Sequence, residues 1–246
     1  MGYDKGFLGI ADESYFIIVE EAPESIQKEM QEKTNLLLYD MYANQTADVG
    51  RGYSQINKAF KISYSDEFIS FVNSVLIKHE TKIREYHCMP LNGIDFTKLE
   101  TTPNANSPFY GEGNSGYVTL QGRFEFEFPH TQQEGLFGFM YFGKVPYTRG
   151  QEINTMPNQK GIKGTTGIDY FLGAGTHRVR PHSNSPSWMP GYALKKLEIN
   201  TSNQYEGAIC IFPPYLFKGA TPFYSTEEYK VVYRGELDFR KPNSFI

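Results

Sequence analysis

Residues 204–239, QYEGAICIFPPYLFKGATPFYSTEEYKVVYRGELDF, decide how the chain folds. A glycine turn at Glu206-Gly207 opens an apolar run, Ala208-Ile209-Cys210-Ile211-Phe212, and Pro213-Pro214 ends it. Lys218-Gly219 follows, and a second alternating run fills residues 229–239. Runs this short, apolar and bounded by Gly and Pro read as strands, because β-branched and aromatic side chains suit a pleated surface and the flanking residues interrupt a ladder. The two runs read as closing strands of a β-barrel or sandwich, with a turn between them.

Working upstream, Arg123-Phe124-Glu125-Phe126-Glu127-Phe128 alternates perfectly, which puts three Phe on one face and the charges on the other. The Phe face is the expected inward face. Residues 136–145, LFGFMYFGKV, are almost wholly apolar and read as a strand buried on both sides. Between these strands and the closing pair, residues 146–192 are rich in Gly, Asn and Pro with little periodicity, and read as a long excursion of the kind that carries function.

The first hundred residues have a different texture. Tyr15-Phe16-Ile17-Ile18-Val19 is a plausible first strand. Pro23 and Glu24 suit a helix start, and Ile26, Met30, Leu37 and Met41 share one face as far as Tyr42. Residues 44–52 form a polar loop. Ser65 is a natural N-cap for a second helix, with Asp66 and Glu67 in its first turn and Phe68, Val72, Val75, Leu76 and Ile83 at helical spacing to about His87. His79 and His87 lie eight residues apart, too far to share a metal on one helix, so both read as packing or surface histidines.

Composition narrows the function. The 246 residues suffice for one domain, and 39 % hydrophobic content is ample for a core. A net charge of −4 gives no reason to expect nucleic acid or an anionic membrane as partner. Two cysteines, Cys88 and Cys210, make no disulfide framework, and Cys210 reads as a buried thiol in a reducing compartment. The polar start and the lack of a ~20-residue apolar span lead us to expect a soluble intracellular protein. Catalytic Ser/His/Asp, phosphate-loop, zinc-ribbon and dinucleotide patterns are absent.

The candidate site follows from the Phe parity. His130 and Gln132 continue it, so His130-Thr131-Gln132 presents an imidazole and an amide at a strand end. A His-x-Asp pair there, joined by a distant His, is the facial triad of non-haem Fe(II) oxygenases, which leaves three coordination positions open. Here the chain resembles the 2-oxoglutarate/Fe(II)-dependent dioxygenase superfamily, and within it a branch common in tailed phages. His130-x-Gln132 stands where the family has His-x-Asp. The segments Gly135-Leu136-Phe137-Gly138-Phe139-Met140-Tyr141-Phe142 and Gly207-Ala208-Ile209-Cys210-Ile211-Phe212-Pro213 resemble two of its strands. Lys218 takes the place of the distal His, and Arg234 that of the arginine pairing with the 2-oxoglutarate carboxylate. The resemblance implies a mainly β (α+β) fold: a double-stranded β-helix, or jelly-roll, core with N-terminal helices packed on it.

The departures from the family pattern share one direction. Gln132 supplies a neutral amide in place of a carboxylate. Lys218 supplies an ammonium, which repels a metal by roughly 4 kcal/mol per unit-charge pair at ~4 Å and an effective dielectric near 20. Glu236, two residues past Arg234 on the same strand face, would pair with it and oppose a dicarboxylate. His130 with Glu134 and a loop histidine, His177 or His182, is the alternative metal site. The more ordinary readings are His130 bonded to Gln132, Lys218 as an exposed turn lysine, and Arg234–Glu236 as a same-face ion pair. His177-Arg178-Val179-Arg180-Pro181-His182 is the densest positive patch, and with Trp188 it forms a candidate interaction loop, against a plain solvated loop.

The expectation is therefore a single domain over 1–246, with an N-terminal strand and helices over 1–100 and the jelly-roll core over 110–240. Its function is that of a degenerate oxygenase-fold protein serving assembly or binding, with other protein subunits as partners, in a tailed-phage particle on the resemblance alone. No cofactor is expected under that reading. The alternatives are an active Fe(II)/2-oxoglutarate dioxygenase with non-standard ligands and a binding module for a sugar or small acid.

Overall fold

The computed structural model describes residues 6–10, 15–43, 54–56, 58–86, 91–101, 114–130, 135–155, 166–172, 196–199 and 201–239. The amino-terminal part supplies strands β1 (Gly6–Ile10) and β2 (Tyr15–Glu21), helix α1 (Glu24–Ala43), the short strand β3 (Ser54–Gln55) and strand β4 (Lys58–Ser63). Helices α2 (Asp66–Lys78) and α3 (Glu80–Tyr86) follow, then β5 (Leu99–Thr101). The core strands are β6 (Ser115–Gln121), β7 (Glu125–His130), β8 (Phe137–Lys144), β9 (Asp169–Leu172), β10 (Lys196–Ile199), β11 (Ala208–Phe212), β12 (Phe217–Ala220) and β13 (Lys230–Phe239), with helix α4 (Arg149–Thr155) between β8 and β9.

These strands form two sheets. The major one runs β1-β2-β11-β8-β13-β6-β4, with β5 also on β13, and the minor one runs β10-β9-β12-β7-β3. From β6 onward, successive strands alternate between β6-β13-β8-β11 and β7-β12-β9-β10, except that β9 and β10 are both in the second set. That is the winding of a double-stranded β-helix, and nearly all its pairings are antiparallel. The two runs of residues 204–239 do lie in one sheet, but β8 separates them, and the chain between them crosses to the minor sheet as β12. The expected turn is thus a crossover between sheets.

Side-chain alternation explains why the major sheet is so apolar. Phe139, Tyr141, Ile209, Ile211, Val231 and Tyr233 face the helices, packing with Met30, Phe68, Val72 and Leu76. Met140, Phe142, Ala208, Cys210, Phe212 and Val232 face the minor sheet, with Phe171 and Ile199 across from them. A strand with both faces covered gains about 1.5–3 kcal/mol for each large apolar side chain fully buried, and solvent imposes no polar alternation on it. Cys210 is a buried free thiol, and burial pushes its ionisation well above the ordinary range, helped by the charge of Asp169.

The helices follow their patterns with small shifts. The Ser65 side chain accepts from Phe68 N, and all five expected apolar positions from Phe68 to Ile83 are buried. The predicted single helix breaks at His79, whose Nε2 lies 2.7 Å from Glu20 Oε1. On α1, Leu38 rather than Leu37 joins the fully buried row, while Leu37 and Met41 pack at its margin. The excursion over 146–192 is less irregular than its composition suggests, since it holds α4 and β9. Glu152 of α4 is fully buried and accepts from the backbone N–H groups of Tyr224 and Ser225. A buried carboxylate held by backbone donors ties the excursion to the approach to β13. No helix among the described residues is long and apolar enough to cross a membrane.

Candidate functional site

The expected inward row of Phe is reversed. On β7 it is Glu125 that is 2 % exposed, whereas Phe128 is 58 % exposed and Phe126 stacks edge-on against it at 4.8 Å. The reason is charge compensation. Lys218, Lys230 and Arg234 are all buried inside the barrel, so the facing strand must bring anions rather than rings. Glu125 approaches Lys58 at 3.8 Å and accepts from Gly122 N at 2.5 Å. Glu127 forms a fork with Arg234, one oxygen taken by Nη1 and the other by Nη2 at 2.8 Å.

A bulge then changes the parity of β7. Lys218 of β12 pairs with His130, yet Ala220, two residues on, pairs with Glu127, three residues back. The extra residue turns His130 to the side on which Glu127 lies, and their Nε2 and Oε1 atoms stand 3.5 Å apart. His130 Nδ1 also lies 3.0 Å from Phe128 O. Gly219 lets the strands close here, since a Cβ would meet the Tyr170 hydroxyl at 2.5 Å and the Glu127 carbonyl oxygen at 2.8 Å. The Lys218-Gly219 pair is therefore a packing requirement beside the site. Lys218 itself is 1 % exposed within β12, which corrects its reading as an exposed turn lysine.

Four charged or titratable groups thus converge at the barrel mouth: Arg234, Lys218, His130 and Glu127. Burial pushes the Glu127 carboxyl up, but Arg234 and Lys218 outweigh it and hold the group at about 2. Burial, then the charge of Lys218, lowers the His130 imidazole, which favours its neutral form. The Lys218 ammonium makes one long hydrogen bond, 3.4 Å to Tyr117 Oη, with that ring 5.9 Å away. Among the described residues no carboxylate reaches ion-pair distance of it. Arg234 is 1 % exposed, and its Nε has no hydrogen-bond partner among the described residues. The partner of Arg234 is thus Glu127 of the opposite sheet, where the same-face pairing with Glu236 was expected.

Four residues further along the barrel sits a second buried pair. Lys230 donates to Asp169 Oδ2, and the Thr201 hydroxyl donates to the same oxygen. Lys230 and Asp169 side chains are 1 % and 2 % exposed.

Of the residues singled out from sequence, His130, Lys218 and Arg234 come together, and Glu236 lies buried further along β13. Gln132, Glu134, His177, Arg178, Arg180, His182 and Trp188 lie outside the described residues, so the alternative metal site and the interaction loop do too. Sequence reasoning missed Glu127 and Tyr117. The signal for Glu127 was Pro129 near the end of the alternating run, since proline inside a strand commonly marks a bulge or an edge and parity beyond it is not safe.

Two groups implied by the resemblance can be tested against these residues. A carboxylate fits: a buried arginine with an unpartnered Nε stands beside a buried lysine with one weak bond. A metal does not fit the described residues, because an ammonium faces His130 across the ladder and no three His, Cys, Asp or Glu side chains converge.

No protein-family model and no curated protein matches the sequence. Solved structures do resemble it in fold. A prolyl-4-hydroxylase from Pseudomonas putida is 10 % identical with a TM-score of 0.47, over 94 % of this chain and 95 % of that one. The non-heme alpha ketoglutarate-dependent carbocyclase SnoK from nogalamycin biosynthesis is 10 % identical with a TM-score of 0.44, over 95 % and 84 %. HygX from Streptomyces hygroscopicus, with nickel and 2-oxoglutarate bound, is 10 % identical with a TM-score of 0.43, over 95 % and 84 %. These neighbours correct the expectation that no cofactor is involved. Two of them are described with α-ketoglutarate dependence or with nickel and 2-oxoglutarate bound.

Proposed function

We propose that the barrel mouth binds a small carboxylate of the 2-oxo acid class, with 2-oxoglutarate as the first ligand to test; Fe(II) beside it would need ligands from outside the described residues. One observation carries the reading: Arg234 and Lys218 are both 1 % exposed, yet Glu127 pairs with Arg234 alone, Lys218 keeps one long bond to Tyr117, and Arg234 Nε is unused. Two buried cations beside one anion favour a further negative charge, and a guanidinium fork matches a carboxylate plane. Arg234 is the positioning group for the ligand carboxylate. Lys218 supplies the second charge, and the Tyr117 hydroxyl orients that ammonium. Bound 2-oxoglutarate would supply the reducing equivalents for oxygen chemistry. We assign no step to the metal, because the described residues do not assemble its ligands.

The test is an anaerobic titration with Fe(II) and 2-oxoglutarate, followed by absorption of the bound pair and by succinate release once oxygen is admitted. Micromolar binding with succinate release supports the oxygenase form of the reading. Binding of 2-oxoglutarate that is indifferent to Fe(II) supports a binding module. No binding under either condition overturns the proposal.

A second reading, assembly within a larger particle, draws on the outer face of α1, where Leu36, Tyr39 and Tyr42 are 67 %, 72 % and 48 % exposed at three-residue spacing. Exposed aromatic groups in a row suit a protein interface. The tailed-phage setting of that reading comes from the sequence resemblance alone. Size-exclusion chromatography of Tyr39→Ser against the parent chain tests it: an assembly that survives the change contradicts the α1 face.

A further inference from the structure

We propose that Glu127 is a built-in ligand of the barrel mouth, an internal carboxylate that occupies Arg234 until an external carboxylate takes its place. This rests on the carboxylate-binding reading above and adds its regulation: the free protein is self-inhibited.

The geometry of the Arg234–Glu127 contact is that of ligand recognition. Both carboxylate oxygens accept from the two terminal nitrogens of one guanidinium, the arrangement an incoming carboxylate would adopt. Two incoming oxygens and the Glu127 oxygens therefore compete for the same donors. The surroundings favour exchange over permanence. Glu127 sits at the bulge of β7, with its side chain 11 % exposed, and His130 beside it is 41 % exposed. That imidazole, 3.5 Å from Oε1, is a polar resting place on the open side for the displaced carboxylate.

The charge count points the same way. With Glu127 on Arg234, Lys218 keeps only its 3.4 Å bond to Tyr117, and Arg234 Nε keeps none. An external carboxylate adds the missing charge, and Glu127 remains nearby against Lys218 and His130, whose fields it already shares. The pair Lys230–Asp169 offers no such exchange. It is closed off at 1 % and 2 % exposure, and Thr201 already uses the anion. The apparent affinity of the free protein for a carboxylate is then its intrinsic affinity reduced by the fraction of molecules in which Glu127 is off Arg234.

The experiment is calorimetric titration of succinate and of 2-oxoglutarate, without metal, into the parent chain, Glu127→Gln and Glu127→Asp. Melting temperature against carboxylate concentration is recorded for each, which reports binding even where a variant is marginally folded. Glu127→Gln is expected to bind at least about tenfold more tightly than the parent, with Glu127→Asp between them because its shorter side chain keeps the charge but loses the fork. If the parent binds and Glu127→Gln binds equally or less well, Glu127 is structural and this inference alone falls. If none of the three binds either carboxylate, the carboxylate-binding reading falls and takes the inference with it.

Discussion

Strand β13 carries two buried cations four residues apart, and they have opposite fates. Lys230 meets Asp169 in a closed setting, where Thr201 completes the anion and burial lowers the lysine against the pull of that carboxylate. Arg234 meets Glu127 at the mouth, where a second cation, an unpartnered Nε and a half-exposed histidine stand around the pair. Both are ion pairs between the two sheets. The first has matched partners and serves as a strut. The second has two buried cations around one described anion and a half-exposed histidine beside it, and the proposed carboxylate site rests on that difference.

The largest predicted effect separates the two by rescue. Asp169→Asn leaves Lys230 buried without its anion, at a cost of about 3–5 kcal/mol in denaturant unfolding. Glu127→Gln also strands a buried cation and destabilises the fold. Millimolar carboxylate should restore the Glu127 variant and leave the Asp169 variant unchanged. Rescue of both, or of neither, erases the distinction drawn here.

Acid titration sharpens the same contrast. A carboxyl held below its ordinary value of 4.5 stabilises the fold at every pH above that value, and the contribution drains away as pH falls through the folded value of about 2. The stability difference between the parent chain and Glu127→Gln should accordingly be constant above pH 4.5 and shrink below it. A difference that instead grows on acidification contradicts the assigned pairing.

Smaller effects test the frame of the mouth. Gly219→Ala places a methyl group against the Tyr170 ring and the Glu127 carbonyl, an overpacking worth about 1–3 kcal/mol, and should weaken carboxylate binding as the bulge opens. Lys218→Met removes a buried charge with one weak bond, so stability should hold or rise slightly while carboxylate affinity drops at least about tenfold. A clear loss of stability in that variant would mean that Lys218 has a structural anion after all.

Much of the fold was legible in residues 204–239 and in LFGFMYFGKV, because a strand covered on both faces writes its burial into unbroken apolar sequence. Helix α2 was legible through its cap and its periodicity. What failed was parity at β7. Alternation states that Phe and Glu lie on opposite faces, but which face is inner depends on the buried cations around it, Arg234 on the other sheet and Lys218 on the neighbouring strand β12. The bulge between Glu127 and His130 then moved His130 to the side of Glu127, a change no periodicity could show. Lys218 and Arg234 stand out through the resemblance, whereas Glu127 as the partner of Arg234 shows only in the geometry.

The central claim is that Arg234 is a carboxylate site which Glu127 fills from within. A crystal structure grown with 2-oxoglutarate tests it most directly. The account predicts the ligand carboxylate forked on the Arg234 guanidinium, with the Glu127 side chain rotated off it. Glu127 still forked on Arg234, with the ligand elsewhere or absent from the barrel, would contradict it.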